Sequence, residues 1–427
     1  MKVQDFINNP LTLVIFGATG DLYQKKLAGA LFKLFSSGLL PEYFTIIGFA
    51  RRPLSDTDFS NFTRDAVLNG NKNSDRVRLD EFLGHIKYVQ GDLENLESFQ
   101  NLSIFLGTLD KGKGICSNKL FYLAIPPTLY NVVFKNISNA GLSVPCASGL
   151  GEAWARILVE KPFGSDIEEA KKLDHLLGEL FHESQVFRID HYLAKETIHN
   201  FIDFRFLDRA LELKWNNKNI DKVRIVVCES NDAHSRGFFY DGVGALLDVG
   251  QNHLLQMLAL TAMEEPKNNT ATEIHLQRLN VLKKTNLLDN ENFTRGQYEG
   301  YQKEEGVKEN SQTETFLRFG LEVENERWKG VYFELETGKA LDGKNFFIEV
   351  CFKKSKACLR FPTTEDAKNT HDAYEKVFYD CLSGDQTIFV STAEIMEEWR
   401  ITSDIIKKWQ EVPMIIYKKG SKAEDIN

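Results

Sequence analysis

The chain has 427 residues, 42% hydrophobic and 26% charged, which allows two or three domains with full cores and excludes a disordered or fibrous protein. Its 52 Lys and Arg against 61 Asp and Glu leave a net charge of −9, so no nucleic acid and no anionic membrane is expected as a partner. Any phosphate must then be held by a local cluster. Cys116, Cys146, Cys228, Cys351, Cys358 and Cys381 include no C-x-x-C pair, and their scatter predicts reduced thiols and no thiolate zinc site. Met1–Asp5 lacks the layout of a signal peptide and no apolar run has the length of a membrane span, so the expected location is cytoplasmic.

Leu11–Phe16 is a nearly continuous apolar run, as for a strand buried on both faces of a parallel sheet. Gly17-Ala18-Thr19-Gly20-Asp21-Leu22 follows and opens a helix predicted over Lys26–Phe35. Backbone N–H groups at such a start face whatever lies over the turn, and the glycines let a pyrophosphate approach. The spacing is G-x-x-G rather than the full G-x-G-x-x-G, with Tyr23 where a small residue is usual, so a plain glycine turn would read the same way. The next strand, Phe44–Ala50, ends in Arg51-Arg52, where an NAD-specific fold carries an acid. Two cations there suit a 2′-phosphate: NADP is the expected cofactor, NAD the weaker alternative, and Arg51 carries more of that expectation than Arg52. Further strands are predicted at Ile86–Asp92, Leu120–Ile125 and Arg156–Val159. The second of these ends in Pro126-Pro127-Thr128, a rigid loop able to take a cis bond, and the third in Glu160-Lys161-Pro162-Phe163-Gly164. Lys161 therefore stands where such sheets bind ligands. The alternation predicts an α/β fold, with a doubly wound parallel-sheet (Rossmann) domain over residues 1–187.

Val186–Ile189 reads as a strand that turns polar at Asp190-His191 and continues with helical spacing through Lys195, Ile198 and Phe201. A helix starting near Tyr192 would put His191 and Lys195 on one face, beside the positive end of its dipole, where a phosphate could sit. Capping alone would also explain these residues. The strand Val223–Cys228 ends in Glu229, followed by a loop with Arg236 and Gly237; Gly242–His253, with Asp248, then runs into the apolar helix Leu254–Leu260. His253 is a partner for Asp190 if it is not merely a core histidine. Glu229 and Asp248 lie at element ends, where acceptors suit sugar hydroxyls. Asn286–Gln312 reads as an exposed connection, and Thr315–Val323, Gly330–Leu335 and Asn345–Phe352 as strands of an antiparallel sheet. Helices return from His371 to Trp409, and Lys418–Asp425 is expected to fray. Residues 188–427 are thus expected to form an α+β domain with a large, mainly antiparallel sheet.

The stretch R-I-D-H-Y-L-A-K-E from Arg188 resembles the substrate signature of the glucose-6-phosphate dehydrogenase family, usually R-I-D-H-Y-L-G-K-E, with Ala194 for the glycine. G-A-T-G-D-L at Gly17, E-K-P-F-G at Glu160, Q-N-H-L-L-Q at Gln251, N-E-R-W at Asn325 and G-K-A-L at Gly338 recur in the family's order over most of the chain. The resemblance implies an NADP-dependent enzyme oxidising the C1 hydroxyl of glucose 6-phosphate to 6-phosphogluconolactone, in an oxidative pentose phosphate route, with no metal. It makes His253 the general base and Asp190 the stabiliser of its imidazolium. It assigns His191, Tyr192 and Lys195 to the sugar phosphate, and Lys161, Glu229, Asp248, Lys339 and Lys344 to substrate binding. On the cofactor side it implies Gly17, Ala18, Thr19, Gly20, Asp21, Leu22, Lys26, Arg51, Tyr130 and Lys161. Departures from the pattern are Ala194, Tyr23, Leu247, Tyr332 and a short path from Cys358–Pro362 to Asp372–Glu375, where strands used by family dimers are missing; a homodimer is left open on that ground. Glu336 replaces an arginine that serves a second, structural NADP in some eukaryotic members, so no such site is expected. The alternatives are a dehydrogenase of another aldose 6-phosphate with relaxed cofactor choice, or a non-catalytic regulator that binds NADP or a sugar phosphate.

Overall fold

The computed structural model describes residues 9–427 apart from 146, 149–150, 235–236, 289–292, 364–372 and 410. Arg236, Cys146 and His371 lie outside the described residues. The chain divides into two compact units.

The first unit takes in residues 1–164, 168–191 and 371–390. Its sheet has six strands, β1 (Leu11–Phe16), β2 (Phe44–Ala50), β3 (Ile86–Gln90), β4 (Asn118–Leu123), β5 (Ala155–Val159) and β6 (Val186–Arg188), in the order β3-β2-β1-β4-β5-β6. All neighbours are parallel. Every residue of β1, β2 and β4 is buried, as their mainly apolar runs suggest for strands covered on both faces. The expected division into 1–187 and 188–427 misses one return of the chain. The helix Ala373–Ser383 packs in this unit, with Phe378 against Tyr122 and the carbonyls of Cys381 and Leu382 accepting from Arg156. Phe389 then stands edge-on to Phe187. The cis bond falls at Lys161–Pro162 rather than at the proline pair Pro126-Pro127.

The second unit takes in residues 165–167, 192–370 and 391–427. Its strands are β7 (Ile220–Cys228), β8 (Thr285–Leu287), β9 (Thr294–Tyr298), β10 (Phe316–Val323), β11 (Tyr332–Gly338), β12 (Asn345–Phe352), β13 (Cys358–Pro362) and β14 (Met414–Tyr417). They run β13-β12-β7-β11-β10-β9-β14, with β8 also on β10. The sheet is mainly antiparallel, but β11 and β12 do not pair with each other: β7 lies between them, parallel to β11 and antiparallel to β12. One face carries Val223, Ile225, Val227, Leu335, Ile348 and Val350, all buried. The other carries a ladder of charge, Lys222 and Arg224 on Glu334, Arg318 on Glu336, and Arg360 on Glu349.

Three sequence expectations are corrected here. Asn286–Gln312 is no exposed connection throughout: β9 lies within it, and Tyr298 and Tyr301 are fully buried, because aromatic residues among the polar ones anchor the segment. The tail is not frayed, since Ser421 bridges to Leu341, a short 3-10 helix forms at Ala423–Asp425 and Ile426 enters the same cluster. The cysteines are not all reduced. Cys351 and Cys358 face each other in the register of β12 and β13 and form a disulfide, and Cys116 is also disulfide-bonded, while Cys228 and Cys381 are free and buried. Scatter in sequence hid the first pair, which a tight hairpin brings together.

Candidate functional site

The candidate residues fall into two groups, one in each unit. In the first unit they stand at the carboxyl ends of parallel strands. β1 ends at Phe16, and Gly17 follows with φ +79; a Cβ there would lie 2.3 Å from the carbonyl oxygen of Ala124, just beyond β4, so only glycine fits. Gly20 and Asp21 are exposed beyond it, and Asp21 pairs with Lys25 at 2.5 Å. Tyr23 does not disturb the turn. Its ring points away into the core, fully buried beside Phe59 and Phe62, with its hydroxyl 2.8 Å from that of Thr63. The first helical turn, Tyr23–Leu27 with Lys26, is a π-helix that accommodates this ring.

Arg51 and Arg52 are exposed at the end of β2, and their carbonyls are held by Gln90 Nε2 and the Tyr88 hydroxyl. A glycine cradle at a helix start, with exposed guanidinium groups one strand away, fits a dinucleotide. Tyr130 is fully buried, and its hydroxyl donates to the Glu160 carbonyl at 2.7 Å. Glu160 itself was missed by the sequence reading. Burial raises its carboxyl pKa against the lowering effect of Tyr122, whose hydroxyl donates at 2.5 Å. The backbone just before Lys161 is thereby fixed from both side chain and carbonyl. Asp190 is buried after β6, and the ring of His191 lies parallel to that of Tyr374, centroids 6.4 Å apart.

In the second unit the helix after the signature starts later than expected. Residues 191–194 form turns, Lys195 is the N-cap, and the helix is Glu196–Leu207, so His191 and Lys195 do not share a helical face. The Lys195 N–H instead closes a turn on the Tyr192 carbonyl. That turn sends Lys195 Nζ back over the Tyr192 ring, 3.3 Å from its centroid, and His253 is stacked on the same ring at 4.2 Å. Cation, phenol and imidazole are thus in one column. His253 is buried in the last turn of a π-helix, Leu246–Leu254, that carries Asp248 in its first turn and continues as Leu255–Ala262. Bonds from i to i+5 place residues five apart about one turn on, which brings Asp248 and His253 toward one side.

Glu229 and Lys339 meet because β7 and β11 are parallel. Gly338 is opposite Cys228 in register, so the next residues leave the sheet together. Lys339 Nζ lies 2.7 Å from Glu229 and 3.4 Å from Asp248. Burial acts to lower the lysine pKa, but the two carboxylates overcome it and hold it above the ordinary value. Lys344 is exposed in the turn before β12. The second unit therefore assembles two clusters: Lys195, Tyr192 and His253; and Lys339, Glu229 and Asp248.

A parallel sheet of this order with a glycine turn after its first strand is the architecture of a dinucleotide-binding domain. The profile of the glucose-6-phosphate dehydrogenase NAD binding domain matches residues 14–200. That of the glucose-6-phosphate dehydrogenase C-terminal domain matches 202–370 and 355–425, two stretches that overlap where the path was expected to be short. The chain belongs to the glucose-6-phosphate dehydrogenase family. It is 35% identical to a glucose-6-phosphate 1-dehydrogenase of Chlamydia muridarum over 96% of this chain and 93% of that one. It is 34% identical to glucose-6-phosphate 1-dehydrogenase 6, cytoplasmic, of Arabidopsis thaliana, over 96% and 89%. A glucose-6-phosphate dehydrogenase solved with its substrate glucose-6-phosphate superposes with a TM-score of 0.88 at 30% identity, covering 97% of this chain and 96% of the other.

Proposed function

We propose that the chain oxidises the C1 hydroxyl of glucose 6-phosphate to 6-phosphogluconolactone, with NADP as hydride acceptor. The single observation that carries the reading is the column of Lys195, Tyr192 and His253, a cation and an imidazole on one aromatic ring, which supports a phosphate site beside a base. A dinucleotide held at the glycine turn would supply the hydride acceptor, C4 of its nicotinamide, for the hydrogen on C1. His253 takes the hydroxyl proton as the hydride departs, and Asp190 stabilises the imidazolium that results. Lys195, Tyr192 and His191 hold the sugar phosphate; Lys161, Glu229, Asp248, Lys339 and Lys344 hold and orient the sugar. Gly17, Ala18, Thr19, Gly20, Asp21, Leu22, Lys26, Tyr130 and Lys161 serve the dinucleotide, with Arg51 on the 2′-phosphate. Support for NADP over NAD is the exposed guanidinium pair at the end of β2. Among the described residues no helix is long and apolar enough to cross a membrane, and a cytoplasmic location is proposed with the function.

The test is absorbance of reduced cofactor with glucose 6-phosphate and either NADP or NAD, beside a His253→Asn variant. Turnover that favours NADP and falls at least about 10³-fold in the variant is expected. Turnover that survives the substitution would sink the assignment of the base. Absence of turnover in a wild type that binds NADP would instead favour another aldose 6-phosphate or a regulator.

A further inference from the structure

We propose that Glu314 is a positioning residue for sugar binding, clamping the start of the helix that carries Asp248 and His253 to the turn that carries Lys339; the kinetic part rests on the function proposed above. The helix Leu246–Leu254 begins after Ala245, whose side chain cannot cap it. Its first donors are met from a segment 68 residues away, where Glu314 Oε1 accepts the Leu246 N–H at 2.8 Å. The Glu314 main-chain oxygen accepts the Ala245 N–H at 3.0 Å. The adjacent residue looks the other way: the Thr315 carbonyl accepts the Lys339 N–H at 2.8 Å, and Tyr417, bonded to the Thr315 hydroxyl, donates to the Lys339 carbonyl at 2.7 Å. Lys339 Nζ closes the circuit on Asp248.

Gly244 belongs to the same device. Its φ is +67, and a Cβ would lie 2.3 Å from Glu314 Oε1, so the carboxyl group can reach the helix start only past a glycine. Glu314 is 2% exposed, and a buried carboxyl group is costly unless its acceptor capacity is used. Here it supplies the cap that the local sequence lacks, at the end of the helix where negative charge is also favoured. It touches neither sugar nor cofactor in the roles assigned above; its effect passes through Asp248 and Lys339.

Two substitutions separate the clamp from mere filling. Glu314→Met keeps the volume and removes the acceptor, whereas Glu314→Gln keeps an acceptor oxygen. Amide hydrogen exchange on the full chain reads the helix without reference to any substrate. In the Met variant the amides of Leu246–Leu254 should exchange about tenfold faster relative to the rest of the chain, and in the Gln variant they should not. With glucose 6-phosphate as substrate, the Met variant should raise its KM about tenfold with the KM for NADP within about twofold, and Gln should restore it. Gly244→Ala, which pushes the carboxyl group away from the opposite side, should reproduce the Met pattern and stands in if Met fails to fold. Unchanged exchange in the Met variant, or a loss spread evenly over the whole chain and both substrates, overturns the proposal. If the wild type does not turn over glucose 6-phosphate, the functional reading falls, and the exchange result alone decides the clamp.

Discussion

Burial would lower the Lys339 pKa, and the Asp248 and Glu229 carboxylates beside it hold it above the ordinary value. Lys339→Met would leave Glu229 and Asp248 without their shared cation. We expect the KM for glucose 6-phosphate to rise roughly 10- to 100-fold, with the dissociation constant of NADP, read by fluorescence titration, unchanged. An unaltered KM would show that the triad is structural. Glu314 makes a prediction in pH. Burial raises its carboxyl pKa to about 7, against lowering by the Leu246 N–H and by Arg295, and Tyr240 and Tyr301 are among the titratable groups around it. The unfolded chain titrates near 4.5 at this position. The folded state holds the proton more tightly, so the contribution is fully present below the unfolded value and lost as pH rises through about 7. Urea unfolding from pH 4 to 8 should show the wild type losing on the order of 3 kcal/mol relative to Glu314→Gln. A constant difference between the two would refute the shift. Glu314 was not legible in the sequence because its partner is a backbone amide on a distant helix, and nothing in Thr313-Glu314-Thr315 distinguishes it from a strand entry.

At the scale of elements, the helix bearing His253 sits in a layer tied by buried polar pairs. Gln256 on its continuation donates to Glu398 at 2.6 Å, and Arg278 of the helix Ala271–Leu282 lies 2.7 Å from Glu394 of the helix Thr392–Trp409. The side chains of Arg278 and Glu394 are 1% and 0% exposed, so removing one partner strands the other charge in the core. Arg278→Met should therefore cost about 3 to 5 kcal/mol in chemical denaturation, while the double change with Glu394→Met recovers most of it. A loss under about 1 kcal/mol would mean that water reaches the site. The central strands of the first unit were legible because burial on both faces leaves a nearly continuous apolar run, and β1 falls where that rule puts it. The start of the helix Glu196–Leu207 was not. Apolar spacing runs through Ala194 and Lys195, but the backbone of Lys195 is extended, and its side chain turns back onto Tyr192. In the second sheet, strand existence was readable and strand order was not. Periodicity cannot reveal that β7 lies between β11 and β12 and runs parallel to β11, and that parallel pairing is what brings Glu229 to Lys339.

For the whole molecule, the least legible feature is the return of residues 371–390 to the first unit. The helix Ala373–Ser383 has an ordinary amphipathic pattern, and nothing in it says which sheet it covers. Its contacts give the answer: Glu375 pairs with Lys33 at 2.7 Å, Phe378 lies on Tyr122, and the carbonyls of Cys381 and Leu382 accept from Arg156. Without it the Tyr122 ring would lose its cover, and the half-buried guanidinium of Arg156 would lose two acceptors. A fragment of residues 1–187, the boundary that composition and motifs suggest, should therefore be unstable by several kcal/mol and fail to bind NADP. A fragment joining 1–191 to 371–390 through a flexible linker should fold cooperatively and bind NADP with the affinity of the full chain. Circular dichroism melts and fluorescence titration of the two fragments decide the matter. If the shorter one folds and binds equally well, the returning helix is an accessory to this unit, and the glycine turn, Arg51 and Lys161 are held by the parallel sheet alone.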